Sequence, residues 1–250
     1  MKIAVFSDLH IKESDRRISK DFARLLRDLV DEDNISDLWL LGDIFDLLIG
    51  PYKFWYDVHA GIFESLRYLR KKGVKILWCE GNHDFHLEAL LDPLGIDVID
   101  GEQTYIVGSA NRKIFVAHGD LVNSDDKAYL AWREVTRNPK YRKALSMVPS
   151  FLARKYLKPW AEKISSKSRV LSSRHSIDLK DLYRKFADVK FSESFSGVFM
   201  GHCHVEDLYK TDRGFYLNLG SALDGQLRYA LWDTETNAFP KVHKYPKMNA

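Results

Sequence analysis

Five short polar motifs follow one another along this chain, each directly after an apolar run. They are Asp8-Leu9-His10, Gly42-Asp43-Ile44-Phe45-Asp46, Gly81-Asn82-His83-Asp84, His118-Gly119-Asp120 and Gly201-His202-Cys203-His204. Their side chains offer carboxylate, imidazole and carboxamide donors, and no thiolate is needed. Hard-to-borderline divalent cations take that mixture. Two such cations, about 3.5–4 Å apart, neutralise a phosphate ester, acidify a water and align it for in-line attack. Holding two ions that close requires one shared carboxylate with separate donors on either side. Asp43, on a glycine-led turn, suits the shared position. Asp8 and His10 alternate along one strand end and can grip one ion. Asn82 offers an amide oxygen, and His118, His202 and His204 offer ring nitrogens. Asp46, Asp84 and Asp120 read as acceptors that orient those ligands.

Alone, each element is ordinary. Asp-x-His arises by chance, an aspartate after a strand is more often a turn or helix cap, and a single histidine is more often packed or exposed. The ordered set is different, because five of the nine histidines fall within it. His59, His175 and His243 are read as packing or surface residues, and His86 stays open.

The elements that must carry these motifs are legible as alternating runs. Residues 2–6, 38–41, 74–78, 113–117 and 197–200 are strand-like and lead into the motifs; 215–219 and 226–232 read as later strands. Ile18, Phe22, Leu25, Leu26 and Leu29 mark one helix face, with Ser14 or Asp15 as its cap. Trp55, Val58, Ile62, Leu66 and Leu69 mark a second, ended by Gly73. Strands alternating with helices predict an α/β fold, whose polar residues past the strand ends are where such sheets build sites. Residues 124–137 and 141–176 read as helices broken at Pro139, Pro149 and Pro159, with strands resuming near Gly197. The chain is read as one domain over 1–250, with 137–176 a basic helical insertion.

Net charge is only +3, but it is unevenly spread. Residues 137–176 hold eleven Lys/Arg against one acid, Glu162, leaving the rest of the chain at −7. That predicts an anionic partner for the insertion. No apolar run approaches the ~20 residues of a membrane-spanning helix. Asp8 comes too early for a signal peptide, so a cytoplasmic location is expected. Cys79 and Cys203 make no disulfide framework.

The five motifs resemble those of the calcineurin-like metallophosphoesterases, from Met1 to about Ser221. The resemblance implies a sandwich of two β-sheets flanked by helices (αββα) with a helical cap. It implies one metal held by Asp8, His10, Asp43 and His204, and another by Asp43, Asn82, His118 and His202. His83 matches a residue near the leaving group, an acid or transition-state donor, which makes His83 and Asp43 the expected catalytic pair. Length, the Asp-Leu-His start and the segment Ser124-Asp125-Asp126-Lys127-Ala128-Tyr129 are most similar to the UDP-2,3-diacylglucosamine diphosphatases of lipid A synthesis. The likeness continues through Pro139, Pro149 and Phe151 to Ser165-Ser166-Lys167-Ser168-Arg169.

Members of that family cleave a lipid-linked UDP-sugar to UMP and the diacyl sugar 1-phosphate, usually with manganese; Zn²⁺, Fe²⁺ or Co²⁺ suit the same donors. The resemblance places Asn82, His83, Asp126, Tyr129, Lys167, Ser168, Arg169, Arg174 and His202 against substrate. It also implies peripheral contact with the inner membrane. The apolar cap residues Tyr141, Leu145, Phe151, Leu152, Tyr156, Leu157 and Trp160 face acyl chains or membrane in this reading, or else pack the cap onto the body. One departure is His83, where the best-described members have arginine.

Three other readings compete. A general phosphodiesterase or nucleotide phosphatase on a soluble substrate would use the same metals. A nucleic-acid-binding module would explain the basic run but none of the donors, so no nucleic-acid partner is expected. A scaffold without turnover would leave the donor set and His83 unused.

Overall fold

The computed structural model describes residues 1–159, 176–236 and 238–246. β1 (Lys2–Phe6), β2 (Asp37–Leu40), β4 (Lys75–Cys79) and β6 (Asp97–Ile99) lie parallel in one sheet. β12 (Leu227–Asp233) and β13 (Lys241–Tyr245) extend it antiparallel, giving the order β13-β12-β1-β2-β4-β6. A second sheet has the order β10-β11-β9-β8-β7, from Glu206–Lys210, Phe215–Leu219, Gly197–Phe199, Arg112–Ala117 and Glu102–Val107. β3 (Leu48–Ile49) and β5 (Asp84–Phe85) form a small third pair.

Alternation along β1 shows how the layers stack. Ile3 and Val5 join Trp39, Leu77, Val116, Phe199, Leu217 and Trp232 in the core between the two large sheets. Ala4 and Phe6 point the other way, against α1 (Arg16–Asp31) and α3 (Ala60–Lys71). A parallel strand buried on both faces must be apolar throughout, and residues 3–6 are. On the outer face of the second sheet, Phe115, Val198 and Tyr216 pack under Tyr183, Ala187 and Phe191 of one helix, Ser176–Ser192. The layering is helix, sheet, sheet, helix, as expected.

The foreseen strands and α1 match their elements within a residue or two. Asp15 does stand at the α1 N-cap, but its side chain makes no capping bond. The helix read through Trp55–Leu69 is split: α2 (Phe54–Val58) ends at His59, where φ −118° and ψ 38° leave the helical region, and α3 begins. After the short α4 (Glu88–Leu91), the helical region begins at α5 (Lys127–Arg137). α6 (Pro139–Met147), α7 (Ser150–Leu152) and a π-helical turn (Ala153–Leu157) follow. The helix Ser176–Ser192, here α8, was not foreseen; it belongs to the sandwich, not to the basic insertion. No helix among the described residues is long and apolar enough to cross a membrane.

Candidate metal centre

All five motifs sit just past carboxyl ends of strands β1, β2, β4, β8 and β9, on one edge of the sandwich. Their loops are bonded to one another. Asp8 N–H donates to Gly42 O (3.1 Å), His10 N–H to Asp43 O (2.9 Å) and Gly201 N–H to His118 O (2.8 Å). Gly201 cannot be replaced there, because a Cβ would lie 2.4 Å from Asp8 Oδ2.

The seven expected donors converge in two groups. Asp8, His10, Asp43 and His204 bring donor atoms within 4.8 Å of one another, as do Asp43, His118 and His202. Asp43 belongs to both. Its Oδ2 lies 3.8 Å from His10 Nε2 and 3.7 Å from His118 Nε2, while Oδ1 accepts from His83 N–H at 2.8 Å. Asn82 Oδ1 completes the second group, 2.9 Å from His202 Nδ1 and 3.2 Å from His118 Nε2. On the first side, His10 Nε2 faces His204 Nε2 at 3.0 Å, and His204 lies 3.4 Å from Asp8 Oδ1. Ring nitrogens and carboxylate oxygens directed at one another with little solvent suit a shared cation. The donor chemistry therefore fits divalent metal.

Protons compete for the same lone pairs. Burial pushes His10 down to about 3, and burial with the neighbouring His118 pushes His202 down to about 4. Burial works against His118 as well, but Asp43, Asp8 and Asp120 outweigh it and lift the ring to about 9. Burial opposes ionisation of Asp43, yet His83, His118 and His10 hold its carboxyl well below the usual range.

The three orienting aspartates have distinct partners. Asp84, fully buried, accepts from the N–H groups of Asp43 (2.8 Å), Ile44 (2.8 Å) and Gly81 (2.9 Å). Burial and the Asp43 charge push its carboxyl up to about 7, against those donors. Asp120 accepts from Tyr129 Oη and Arg133 Nε, both at 2.6 Å. Asp46 lies with His10 and His83 in a third close group, and its carbonyl accepts from His83 Nδ1 at 3.0 Å.

Of the residues expected at substrate, Asn82, His83 and His202 lie in this centre. Tyr129 packs beside His202, with ring centroids 5.6 Å apart, but its hydroxyl is bound to Asp120. Asp126 caps α5, accepting from Tyr129 N–H at 2.9 Å. Lys167, Ser168, Arg169 and Arg174 lie outside the described residues, as do His175 and Trp160. His59 stacks on Phe45 at 4.1 Å and His243 on Tyr229 at 5.2 Å, in keeping with packing. His86, left open, bonds Thr136 O through Nε2 at 2.6 Å.

Sequence reasoning missed the groups that brace the loops. Asn218 Nδ2 donates to Gly201 O at 2.7 Å, and Tyr183 Oη donates to Gly119 O at 2.7 Å. Arg137 donates to Gly81 O at 2.6 Å. The one available signal was the Tyr129, Arg133, Arg137 spacing, which aligns them on one face of α5.

Comparison with known proteins identifies relatives of the chain. The chain is 30% identical over 173 residues to a UDP-2,3-diacylglucosamine hydrolase of Serratia proteamaculans (strain 568), covering 69% of this chain and 67% of that one. A protein of the same name from Neisseria meningitidis serogroup B (strain ATCC BAA-335 / MC58) is 25% identical over 249 residues, covering 98% and 100%. Another, from Histophilus somni (strain 2336), is 24% identical over 220 residues, covering 86% and 88%. The Metallophos family, described as calcineurin-like phosphoesterase, matches residues 1–206. With that much of its length matched, the chain belongs to the calcineurin-like phosphoesterases and is a metal-dependent phosphoester hydrolase.

Proposed function

We propose that the chain uses two divalent ions, Mn²⁺ by preference, to hydrolyse UDP-2,3-diacylglucosamine to UMP and 2,3-diacylglucosamine 1-phosphate. Asp8, His10, Asp43 and His204 hold one ion; Asp43, Asn82, His118 and His202 hold the other. When bound, the ions supply positive charge for the diphosphate and an acidified water for attack. His83 donates a proton or hydrogen bond to the departing phosphate oxygen. Its Nδ1 bond to Asp46 O sets the ring, and Nε2 serves the leaving group. Asp84 and Asp120 hold the turns that carry these groups.

One observation favours a lipid-bearing substrate over a soluble one. A small cleft between body and cap counts Leu47, one residue past Asp46, among its lining residues. Ile49, Tyr52 and Trp55 line the body side, and Tyr141, Leu145 and Leu157 the cap side. The lining is almost entirely apolar, a chemistry that suits acyl chains, though its free volume of about 40 Å³ means that cap and body must part to admit one. Outside the cleft the cap exposes Met147, Phe151 and Tyr156, at 75, 70 and 59%, among Lys140, Lys143, Arg154 and Lys155. Apolar side chains ringed by cations support peripheral docking on an anionic inner-membrane surface. Of the apolar cap residues, Tyr141, Leu145 and Leu157 line the cleft against the body, while Phe151 and Tyr156 are exposed.

His83 in place of arginine favours a second reading, a general phosphodiesterase on soluble substrates. The test is purified protein with Mn²⁺, offered the acylated UDP-sugar beside simple phosphodiesters, with UMP release quantified. Release from the lipid substrate at a kcat/KM far above that for diesters is expected. Equal or better use of simple diesters would favour the general enzyme.

A further inference from the structure

We propose that Arg137, the last residue of α5, is a positioning residue for catalysis. Its hydrogen bond to Gly81 O fixes the Gly81–Asn82 peptide, and with it the Asn82 amide oxygen and the His83 ring. This rests on the two-metal reading, in which Asn82 is a ligand and His83 a donor.

Gly81 is held through both of the peptide groups that flank it. Its N–H donates to Asp84 Oδ1 at 2.9 Å, and its carbonyl accepts from Arg137 Nη2 at 2.6 Å. The turn is also pressed against the shared carboxylate: a Cβ on Gly81 would stand 2.2 Å from Asp43 Oδ1. With the carbonyl gripped, the peptide plane ahead of Asn82 cannot rotate without breaking a charge-assisted bond. Asn82 Oδ1 stands 2.9 Å from His202 Nδ1, and His83 N–H bonds Asp43 Oδ1, so a small rotation there misplaces both.

The arginine is costly unless that grip is its purpose. Its side chain is only 7% exposed, and burying a guanidinium demands compensation. Nε faces Asp100 at 3.3 Å and Nη1 faces Glu80 at 3.8 Å, yet neither atom makes a hydrogen bond there. The group lies over the Phe85 ring at 4.5 Å. A methionine could pack the helix end on Phe85 with less desolvation, whereas only a long cationic donor spans to Gly81 O while lying beside two acids. Arg133, one turn earlier, repeats the device, joining Asp100 (2.5 Å) to Asp120 (2.6 Å) two residues past His118. Helix α5 thus braces loops from both sheets, those carrying Asn82 and His118.

The test compares wild type, Arg137→Met and Arg137→Lys in two measurements. One is turnover of a chromogenic phosphodiester at saturating Mn²⁺. The other is Mn²⁺ binding without substrate, followed by electron paramagnetic resonance of the unbound ion. For Arg137→Met we expect kcat to fall about 10–100-fold with KM changed less than about threefold. One Mn²⁺ dissociation constant should rise about tenfold and the other stay put. Arg137→Lys, which keeps the charge and a donor, should recover part of both. Wild-type kcat and Mn²⁺ constants in Arg137→Met would overturn the proposal. So would a parallel rise in both constants with a lowered melting temperature, which marks a residue that only docks the helix. Should Arg137→Met not fold, Arg137→Lys decides: kcat at least about fivefold below wild type supports the role, and an unchanged kcat rejects it. Wild type that binds two Mn²⁺ but cleaves no phosphoester would refute the parent reading and this proposal with it, a result distinct from a failure in the variants alone.

Discussion

Asp43→Asn is the sharpest perturbation the centre allows, because the amide is nearly the size of the carboxylate. The introduced carboxamide can keep an oxygen where Oδ1 accepts from His83 N–H, so the third motif stays in place. At Oδ2 an N–H₂ replaces the oxygen that stands 3.8 Å from His10 Nε2 and 3.7 Å from His118 Nε2. Each proposed ion then loses its shared anionic ligand, and both should bind far more weakly. Proton binding gives a magnitude. His118 titrates at about 9 despite full burial, because carboxylates outweigh desolvation and Asp43 is foremost among them. Against the ordinary 6.5, that shift is worth about 3 kcal/mol of net attraction. The folded value is raised, so this contribution to metal-free stability is complete below about pH 6.5 and lost as pH climbs through about 9. Asp43 leads the carboxylates behind it, ahead of Asp8 and Asp120, so removing its charge reduces it. Metal-free wild type should therefore lose melting temperature between about pH 6.5 and 9, and the variant should lose less. Metal analysis should find less than one ion per chain retained after gel filtration, and diester turnover should drop at least about a thousandfold. Two ions per chain and unchanged turnover in Asp43→Asn would refute the shared-ligand assignment.

Three further outcomes are expected. His83→Ala should keep its ions and lose about 10²–10⁴ in kcat, measured with metal content in parallel; a loss explained by missing metal would make His83 a ligand. Asp84→Ala leaves the N–H groups of Asp43 and Ile44 without their acceptor, at about 1–3 kcal/mol each, while Gly81 N–H keeps the Asp84 carbonyl at 3.0 Å, so thermal denaturation should show a drop of at least about 4 °C. A shift within experimental error would show that the turns hold themselves. Replacing Met147 and Phe151 by serine should weaken sedimentation with phosphatidylglycerol vesicles while leaving a small chromogenic diester untouched. Equal loss on both would place the patch in the catalytic centre's support.

What could be read in advance divides along a physical line. Strands buried on both faces, such as Lys2–Phe6, carry continuous apolar runs and end at short polar motifs, three of them glycine-led, so they and their motifs stand out. Edge strand Glu102–Val107 is mostly exposed, and its mixed sequence offers no period to find. Helix Ser176–Ser192 buries Tyr183, Ala187 and Phe191 but is otherwise rich in charge, and the basic run before it masked its start. The donors were legible because metal chemistry restricts residue type. Arg133, Arg137 and Asn218 were not, because any surface may carry such residues and only the fold brings them to Asp120, Gly81 and Gly201.

The same division explains how the donors are held. Asp8, His10, Asp43, His202 and His204 all have left-handed backbones, with φ between 48° and 67°. Asp and His tolerate that region better than most side chains, yet each such residue costs about 1–3 kcal/mol. Five of them together rival the net stability of a domain. Glycine would remove the strain but supply no ligand, so the strain must be offset locally. It is met by bonds that cross between motifs: His10 N–H to Asp43 O, Asp43 N–H to Asp84, and His202 N–H to Asp8 Oδ1 at 2.9 Å. Some motifs also bond internally, as Gly81 N–H does to Asp84, but each is tied to a neighbouring motif as well. Contacts among the loops themselves thus help gather the donors, so part of the cost of bringing them together falls on folding. It also follows that damage at one brace should spread to donors in other loops, which is why Asp84 and Arg137, neither of them a proposed ligand, are the positions where a distant substitution should reach the metals.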